Sequence, residues 1–424
     1  MKRISFLSVL LVCFSLAGVG QTTLDECQEA ARRNYPQIRQ YDLLRQTTDL
    51  TLQNIRKGWL PQVSATAQAT LQSDVTAWPG EMQGMLSQMG IQMEGLKRDQ
   101  YKVGVDINQL VYDGGNLKAQ QEVARQQGQV QEAQTDVALY AVRQRVNDLF
   151  FGILLTDERI LLMEDMQELF RSNEDKLSSM YKRGTAALSD YNNVKAERYD
   201  VEQQIVSLRS QRQSLLLMLS AFCGQEISQV ARPPMTESTA GNNRPELRLI
   251  DNQLQLLEKQ QQLLDVGLRP KVSLFASGFY GYPGYNMFDD MRHREFSLNG
   301  MVGARITWNI GQFYTHKNDR EQLRVQHSLY EVQRETFLFN NRLEQLQSSE
   351  EVNRYRQLLR NDAEIIALRT SIRQAAESKL AHGIIDVNDL IREINNENAA
   401  KLQQSIHEIE LLKELYDQKI ISNN

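Results

Sequence analysis

The stretch that decides the fold runs from Gln312 to His382 and reads QFYTHKNDREQLRVQHSLYEVQRETFLFNNRLEQLQSSEEVNRYRQLLRNDAEIIALRTSIRQAAESKLAH. These 71 residues include neither glycine nor proline. Because proline breaks the interior of a helix and glycine weakens it, the stretch predicts one uninterrupted α-helix, about 105 Å long at 1.5 Å per residue. A second tract, 116–183, has two glycines and no proline and predicts another very long helix.

Apolar residues along the first tract recur at alternating spacings of four and three. Thr336 fills one slot of a series made of Val325, Leu329, Val332, Phe339, Leu343 and Leu346. This spacing is typical of a coiled-coil seam, so we expect the helix to pack against neighbouring helices. The remaining positions are rich in Gln, Arg, Asn and Glu, which indicates a surface wetted on more than one side.

The eight prolines of the 424-residue chain all lie in two windows, 36–79 and 233–283. A chain of this length would ordinarily be expected to form two or three globular domains. The long proline-free tracts argue against that organisation, because helices of such length exceed the usual three turns.

Four segments alternate apolar and polar residues, which predicts four strands, each with one apolar and one polar face. They cover 62–72, 101–107, 271–281 and 295–309. Two amphipathic hairpins on a soluble core are one interpretation. A length of about ten residues and aromatic residues near the strand ends, Trp59, Tyr101 and Trp308, favour membrane strands with aromatic girdles. Because open edges are not tolerated in hydrocarbon, four strands would need several chains to close.

The sequence contains an internal repeat. Matching positions lie 209 residues apart early in each copy and 199 residues apart later, with a longer loop in the first copy accounting for the difference. The matches include Pro36 with Pro245, Pro61 with Pro270, Gly184 with Gly383, and Asp190 with Asp389. We expect a first repeat over 21–232, a linker over 233–245 and a second repeat over 246–424. Each repeat would hold a helix, a β-hairpin, a very long helix, a glycine turn and a return helix.

Residues 1–20 have the pattern of a secretory signal peptide, with two basic residues, an apolar stretch and a small-residue cleavage site. Its removal leaves Cys27 and Cys223, which are too few for a disulfide framework. The two could pair once in an oxidising compartment, although free thiols are the preferred expectation. The chain is acidic, with a net charge of -5, which argues against nucleic acid as a partner.

The sequence lacks the common motifs of catalytic sites, which argues against an enzyme. The five histidines have no metal-ligand spacing, and the sequence shows no phosphate-binding glycine loop and no Ser or Cys nucleophile motif. We therefore expect no catalytic residues, no cofactor and no metal site. A structural coiled-coil protein of the periplasm or cell surface is the alternative function that these observations leave open.

The chain resembles the TolC-like outer-membrane efflux channel family. The resemblance is carried by LVYDGG at 110–115 between a strand and a long helix, by the repeated proline positions, and by Arg183-Gly184-Thr185 followed by Asp190. It implies a mainly α fold with a small β part, in which a homotrimer builds a 12-stranded barrel in the outer membrane of a Gram-negative cell. A tunnel of twelve long antiparallel helices would continue the barrel through the periplasm.

That resemblance also implies a function. The trimer would be the passive exit duct of a tripartite efflux or type I secretion system. A periplasmic adaptor protein would join it to an inner-membrane transporter. The resemblance nominates as adaptor-contacting tips the residues around the two glycine turns, which are Arg183, Gly184, Thr185, His382, Gly383 and Ile384.

The resemblance further places Asp190 and Asp389 near the tunnel entrance, where three copies of a carboxylate would form a negative ring. The plainer interpretations are that the glycines only permit positive φ and that the acids only favour a helix N-terminus. The sequence departs from the family pattern at two positions, since Arg392 replaces an acid and Ile385 replaces an arginine. Arg392 could pair with Asp389 three residues earlier or with Asp190 on the neighbouring helix.

Overall fold

The fold comes from a computed structural model that describes residues 21–92, 94–236 and 241–423. The predicted signal peptide and part of the predicted linker lie outside these residues. Within them the chain forms nine α-helices and four strands. In chain order these are α1 (Leu24–Asn34), α2 (Gln40–Arg56), β1 (Gln62–Leu71), α3 (Gly80–Gln88), β2 (Asp99–Tyr112), α4 (Asn116–Lys182), α5 (Leu188–Cys223), α6 (Pro245–Gly267), β3 (Lys271–Tyr282), α7 (Met287–His293), β4 (Ser297–Thr307), α8 (Gln312–Ala381) and α9 (Val387–Ser422).

The two very long helices are formed as predicted. Helix α4 has 67 residues and α8 has 70, and each ends immediately before a glycine turn. Each is followed by a return helix of 36 residues, α5 or α9. In the described part of the chain, no helix is both long enough and apolar enough to cross a membrane.

The single helix predicted before the hairpin of the first repeat is instead broken into two. Helix α1 begins with a capping box, in which Thr23 Oγ1 accepts from the Glu26 amide at 3.3 Å and Glu26 Oε2 accepts from the Thr23 amide at 2.9 Å. It ends at Tyr35, which is extended with φ -60° and ψ 128°. The residue before a proline is pushed out of the helical region by the proline ring, and Pro36 follows. The prediction of one continuous helix was therefore wrong at this point.

The four strands form one antiparallel sheet in the order β1-β2-β3-β4. One row across the sheet pairs Ala67 with Val103, Val103 with Tyr280, and Tyr280 with Leu298. The next row is polar or glycine throughout and consists of Gln68, Lys102, Gly281 and Ser297. Apolar side chains thus share one face and polar ones the other, which confirms the four predicted strands and their alternation.

Two glycines on the polar face are matched to phenylalanines on the adjacent strand. Gly104 lies opposite Phe279, and Gly303 lies opposite Phe275. A Cβ on Gly104 would come within 2.8 Å of the Phe279 Cβ, and one on Gly303 within 2.7 Å of the Phe275 ring. The absence of a side chain therefore makes room for an aromatic ring to cover the strand.

The described chain divides into two compact units. The first comprises residues up to Gln40, Gln134–Leu247 and Glu335 onwards, and the second comprises Tyr41–Ala133 and Arg248–Arg334. Each unit takes segments from both predicted repeats. Each repeat supplies two strands to the second unit, and the later part of its very long helix with the whole return helix to the first. The first unit has two large apolar clusters, one around α1 and the ends of α5 and α9, and one beneath the glycine turns.

The apolar series predicted to form a seam on α8 faces outward in the single chain. Val325, Leu329, Phe339 and Leu343 are between 49% and 63% exposed. Since apolar side chains of this size are stabilised by burial, a whole row of them on one helix indicates a surface that packs against other helices.

Candidate functional site

The two glycine turns have the same backbone geometry. Gly184 has φ 75° and Gly383 has φ 69°, values at which a residue with a side chain is strained. The amides of Thr185 and Ile384 donate to the carbonyls of Met180 and Lys379, both at 2.9 Å. Together with the glycine amides, which bond three residues back, these contacts form the Schellman motif that ends a helix.

The residue before each glycine folds back onto its own long helix. Arg183 Nε donates to the Ser179 carbonyl at 3.2 Å, and His382 Nδ1 lies 2.7 Å from the Ser378 carbonyl. These carbonyls belong to the last turn of the helix, where regular intrahelical bonds run out, and the Ser378 carbonyl also accepts from the His382 amide at 3.3 Å. Arg183 and His382 therefore satisfy helix ends while remaining exposed.

The predicted acids lie in the first turns of the return helices. Asp190 Oδ2 accepts from the Ala187 amide at 3.3 Å, while in the second turn Asp386 Oδ1 accepts from the Asp389 amide at 2.9 Å. Negative charge is favoured at a helix N-terminus by the helix dipole. The Asp190 side chain thus has a structural role at the start of α5, whereas at the start of α9 that role belongs to Asp386. A role of Asp190 and Asp389 in ion attraction stays a prediction.

Arg392 takes one of its two predicted partners. Its Nη2 lies 2.8 Å from Asp389 Oδ1, and its Nε lies 3.5 Å from Glu393 Oε1. Of the two pairings open to Arg392, the structure forms the one within α9. The charge of Asp389 is consequently offset by a neighbouring cation, whereas Asp190 faces backbone amides.

Ile385, the second departure from the family pattern, packs onto the apolar cluster beneath the turns. Phe170, Leu177, Val194, Leu390 and Ile394 are among its fully or nearly fully buried members. An isoleucine therefore anchors the second turn at this position. The apolar side chain was the one signal for this role in the sequence, and the role itself follows only from the cluster.

The exposed surface of the turns is partly apolar. Ile384 is 70% exposed, and Leu188 and Tyr181 are also exposed. Arg183, Gly184, Thr185, His382 and Gly383 are all exposed beside them. An exposed set of small, apolar and basic residues on rigid turns is suited to contact another protein.

Residues that the sequence analysis missed join the two return helices just past the turns. Asn193 Nδ2 on α5 donates to Asn388 Oδ1 on α9 at 3.4 Å. A groove of about 430 Å³ opens beside this contact, and its lining includes Glu197, Arg392, Asn395 and Asn396. These asparagines follow no periodic pattern that would mark them in the sequence. Only the approach of α5 to α9 reveals the groove.

An ion-pair network ties each long helix to its return helix. On the first hairpin Arg198 of α5 lies 2.7 Å from Glu174 of α4 and 3.6 Å from Glu202. On the second hairpin Glu397 of α9 pairs with Arg373 of α8, and Lys401 Nζ lies 3.0 Å from Glu397. The offset of 199 residues relates the two networks position by position, with every charge reversed.

The second network holds a buried carboxylate. The Glu397 side chain is 4% exposed, and burial by itself opposes its ionisation. Hydrogen bonds from Lys401, Arg373 and Thr370 outweigh that effect and lower the pKa of Glu397 below its ordinary value. The carboxylate is thus charged and fully engaged, as a buried charge must be.

The three predicted aromatic residues lie at the two ends of the sheet. Trp59 precedes β1 and Trp308 follows β4, at the edge where Gln62 pairs with Asn108. Tyr101 lies near the opposite end of β2. All three are between 42% and 53% exposed. This placement fits girdles at two interfaces, and the membrane contact itself stays a prediction.

The polar face of the sheet carries two cations above aromatic rings. Lys102 Nζ lies 4.9 Å from the centroid of Phe279, and the Arg305 guanidinium lies 4.8 Å from that of Phe275. Cations at these distances are attracted by the ring face. The face opposite the apolar one is thus suited to water rather than to lipid.

Comparisons with known proteins agree with this geometry. Residues 28–225 match the family described as outer membrane efflux protein. No curated protein sequence matches the chain.

Several solved structures share the fold. The outer-membrane channel OprN aligns with a TM-score of 0.67 and 14% identity, over 94% of this chain and 89% of that one. The CmeC outer membrane channel of Campylobacter jejuni aligns at 0.65 and 12%, over 94% and 85%. The open state of the Neisseria gonorrhoeae MtrE outer membrane channel aligns at 0.64 and 12%, over 94% and 88%. At these identities the likeness establishes the fold.

Proposed function

Because the chain belongs to the outer membrane efflux protein family, we propose that it is the exit duct of a tripartite efflux or type I secretion system. Three copies form a passive channel in the outer membrane of a Gram-negative cell, with most of each chain in the periplasm. The duct carries substrates delivered by an inner-membrane transporter and performs no chemistry on them. The observation that carries this proposal is the amphipathic sheet with two open edges.

The apolar face of that sheet supports a membrane location. Val63, Val302 and Ile306 are 64%, 82% and 73% exposed. Val63 and Val302 lie on one apolar row across the sheet, and Ile306 lies on another. A water-soluble protein rarely leaves so continuous an apolar surface uncovered. Lipid is the partner that such a face fits, while the opposite face with Lys102 and Arg305 fits a water-filled interior.

The edges of the sheet support closure by other copies. Among the described strands, β1 pairs with β2 and β4 pairs with β3, so each outer strand has one side without a ladder. Unpaired backbone groups are too costly in hydrocarbon for such edges to remain open. Pairing β1 of one copy with β4 of the next removes every edge, and three copies then contribute twelve strands.

The exposed seam on α8 supports the same assembly. Val325, Leu329, Phe339 and Leu343 would be buried if α8 packed against a helix of the adjacent copy. Each such side chain contributes about 1.5 to 3 kcal/mol when it is fully buried. The seam therefore supplies a driving force for association over the length of the helices.

We place the contact with the periplasmic adaptor at the two glycine turns. The turns are rigid, because backbone and side-chain hydrogen bonds satisfy the helix ends, and their surface includes the exposed Ile384. Three copies would present six turns. This assignment extends to Arg183, Thr185 and His382, whose exposed side chains flank the glycines.

The proposal is tested by producing the full chain with its leader in a Gram-negative host. We expect it in the outer-membrane fraction, extracted only by detergent, with the mass of three chains by native mass spectrometry. Reconstituted in a planar bilayer, it should conduct ions. Recovery of the chain in aqueous buffer without detergent would overturn the proposal and favour the structural coiled-coil alternative.

A further inference from the structure

The chain outside its leader holds two cysteines, and the fold brings them together. Cys27 lies in α1 and Cys223 is the last residue of α5, 196 positions later. Both belong to the same apolar cluster, in which Cys27 is completely buried and Cys223 is 5% exposed. Two residues that are so rare and so distant in sequence thus share one site.

The sulfur of Cys223 lies close to the backbone of Cys27. Cys223 Sγ is 3.4 Å from the Cys27 carbonyl oxygen. The side chains also contact each other, and this contact together with burial raises the pKa of the Cys27 thiol. Disulfides join cysteines whose Cβ atoms are about 3.5 to 4.5 Å apart, and a sulfur in contact with the partner's own backbone is compatible with that separation.

The backbone on both sides of the cysteines is fixed. At one end of α1, Asn34 Nδ2 donates to the carbonyls of Ala221 and Phe222 at 3.1 and 3.2 Å. At the other end, the Thr22 amide donates to the Gln229 carbonyl at 3.1 Å. Helix α1 is therefore held to the end of α5 at one point and to the segment after α5 at another, with the cysteines between them. A bond there would not need the helices to move.

We infer that Cys27 and Cys223 form a structural disulfide in the exported protein. The inference rests on the proposed outer-membrane location, because disulfides persist in the oxidising compartments outside the cytosol. Both thiols are free in the structure, as the sequence led us to expect, and the inference is that they are oxidised in the exported protein. Two cysteines without a bond would fill the same space as small apolar side chains. The experiment therefore has to detect the disulfide itself.

The bond forms by exchange with the disulfide of a dithiol oxidant in the periplasm. The thiolate of one cysteine attacks a sulfur of the oxidant, which releases one oxidant thiolate and leaves a mixed disulfide. The thiolate of the other cysteine then attacks the sulfur of the first and releases the second oxidant thiolate. The chain loses two electrons and two protons, and the oxidant gains both as a dithiol. Since the pair is buried in the folded chain, the exchange precedes the docking of α1.

The linkage would fasten the first helix to the region just before the predicted linker. Helix α1 has only 11 residues, and helices of this length are marginal in isolation. A bond to α5 closes a loop of nearly two hundred residues and removes conformations mainly from the unfolded chain. The N-terminal helix would consequently stay attached when neighbouring contacts open.

The test counts thiols in the full chain taken from the outer membrane. Cells are quenched in acid, the protein is denatured, and a polymer-tagged maleimide labels every free thiol. We expect no adduct before reduction and a shift of two adducts after it, and a peptide map should show one species joining the peptides of Cys27 and Cys223. In a host without its periplasmic dithiol oxidant, the fraction labelled before reduction should rise.

Two adducts before reduction in the normal host would overturn the inference, as would linkage of either cysteine to another chain. Cys27→Ser and Cys223→Ser provide matched controls, because each should show one adduct with or without reduction. The result is separable from the proposed function. Free thiols in a conducting trimer would contradict only the disulfide. Linked thiols in a protein that conducts no ions would contradict only the proposed channel.

Discussion

Glu174 on α4 and Arg373 on α8 occupy the same position in the two repeats and carry opposite charges. Each pairs with the return helix of its own hairpin, Glu174 with Arg198 and Arg373 with Glu397. Exchange of the return helices would set Glu174 against Glu397 and Arg373 against Arg198. Because like charges in partly buried positions repel, the reversal favours pairing of each long helix with its own return helix.

Reversal of the charges in the first network should preserve the first hairpin. It should also remove the preference of each long helix for its own return helix. We expect Glu174→Arg alone to lower the local free energy of opening by about 1 to 3 kcal/mol, because it places two arginines together. The triple variant Glu174→Arg, Arg198→Glu, Glu202→Lys should regain most of that loss while yielding fewer correctly assembled trimers. Hydrogen exchange of the α5 amides measures the first effect, and native mass spectrometry measures the second. A triple variant no better than the single one would contradict this account.

The stability of the second hairpin should depend on pH through Glu397. Its pKa is lowered in the folded protein, so the unfolded chain binds more protons as the carboxylate titrates. The stabilisation is therefore complete above the unfolded pKa and is lost as pH falls through the folded one. At pH 7 we expect Glu397→Gln to cost about 1 to 3 kcal/mol, a difference that disappears in acid.

Hydrogen exchange of the α9 amides between pH 7 and acid measures this difference. The exposed Glu364 on α8 supplies the control, since Glu364→Gln should change little at any pH. A penalty for Glu397→Gln that stays constant in acid would show that packing, and not charge, holds the side chain.

Adjacent residues on β4 should respond oppositely to an introduced charge. Val302 lies on the apolar face and Met301 on the polar face, opposite Ala276 and Ser277 respectively. We expect Val302→Arg to cost about 2 to 4 kcal/mol in lipid and to reduce the trimer in the outer membrane, whereas Met301→Arg should be tolerated. Quantification of both variants in membrane fractions checks this, and equal losses would argue against lipid on the apolar face.

Substitution of the turn glycines should weaken the turns in proportion to backbone strain. Gly184→Ala and Gly383→Ala each place a side chain at positive φ, which costs about 1 kcal/mol, although the space around both is open. Gly152→Ala is the matched control, because Gly152 lies inside α4, where alanine is favoured by about 1 kcal/mol. Hydrogen exchange should show weaker protection around the turns in the two turn variants and stronger protection of α4 in Gly152→Ala.

The bulkier variants Gly184→Val and Gly383→Val test the contact with the adaptor. We expect trimer assembly to continue and efflux, measured as drug accumulation in cells with the companion pump, to fall. Normal efflux with normal trimers in both variants would place the adaptor elsewhere.

Removal of Arg392 should increase the preference of the channel for cations. Arg392 offsets Asp389, so Arg392→Gln removes the cation beside that carboxylate and makes the local potential more negative. Asp389→Asn should have the smaller and opposite effect. Reversal potentials in a salt gradient measure both, and unchanged values would mean that these side chains lie away from the conduction path.

Local chemistry in the sequence was enough to predict most elements of the fold. Absence of proline predicted α4, absence of both proline and glycine predicted α8, alternation predicted the four strands, and glycines predicted the two turns. The break at Pro36 was missed because helix-forming residues continue on both sides of it. Arg392 had two acceptable partners at the level of sequence, and only the arrangement of the helix ends selected Asp389.

The sequence by itself determined the elements and which of their faces are apolar, because periodicity and backbone restrictions act over a few neighbouring residues. The tertiary structure decided what meets across long distances in the chain. It brought Cys27 to Cys223 and set Glu397 on Arg373, because these contacts depend on how helices pack and not on local propensity. It also left the sheet face and the α8 seam exposed, since in the described part of a single chain no other segment packs over these side chains.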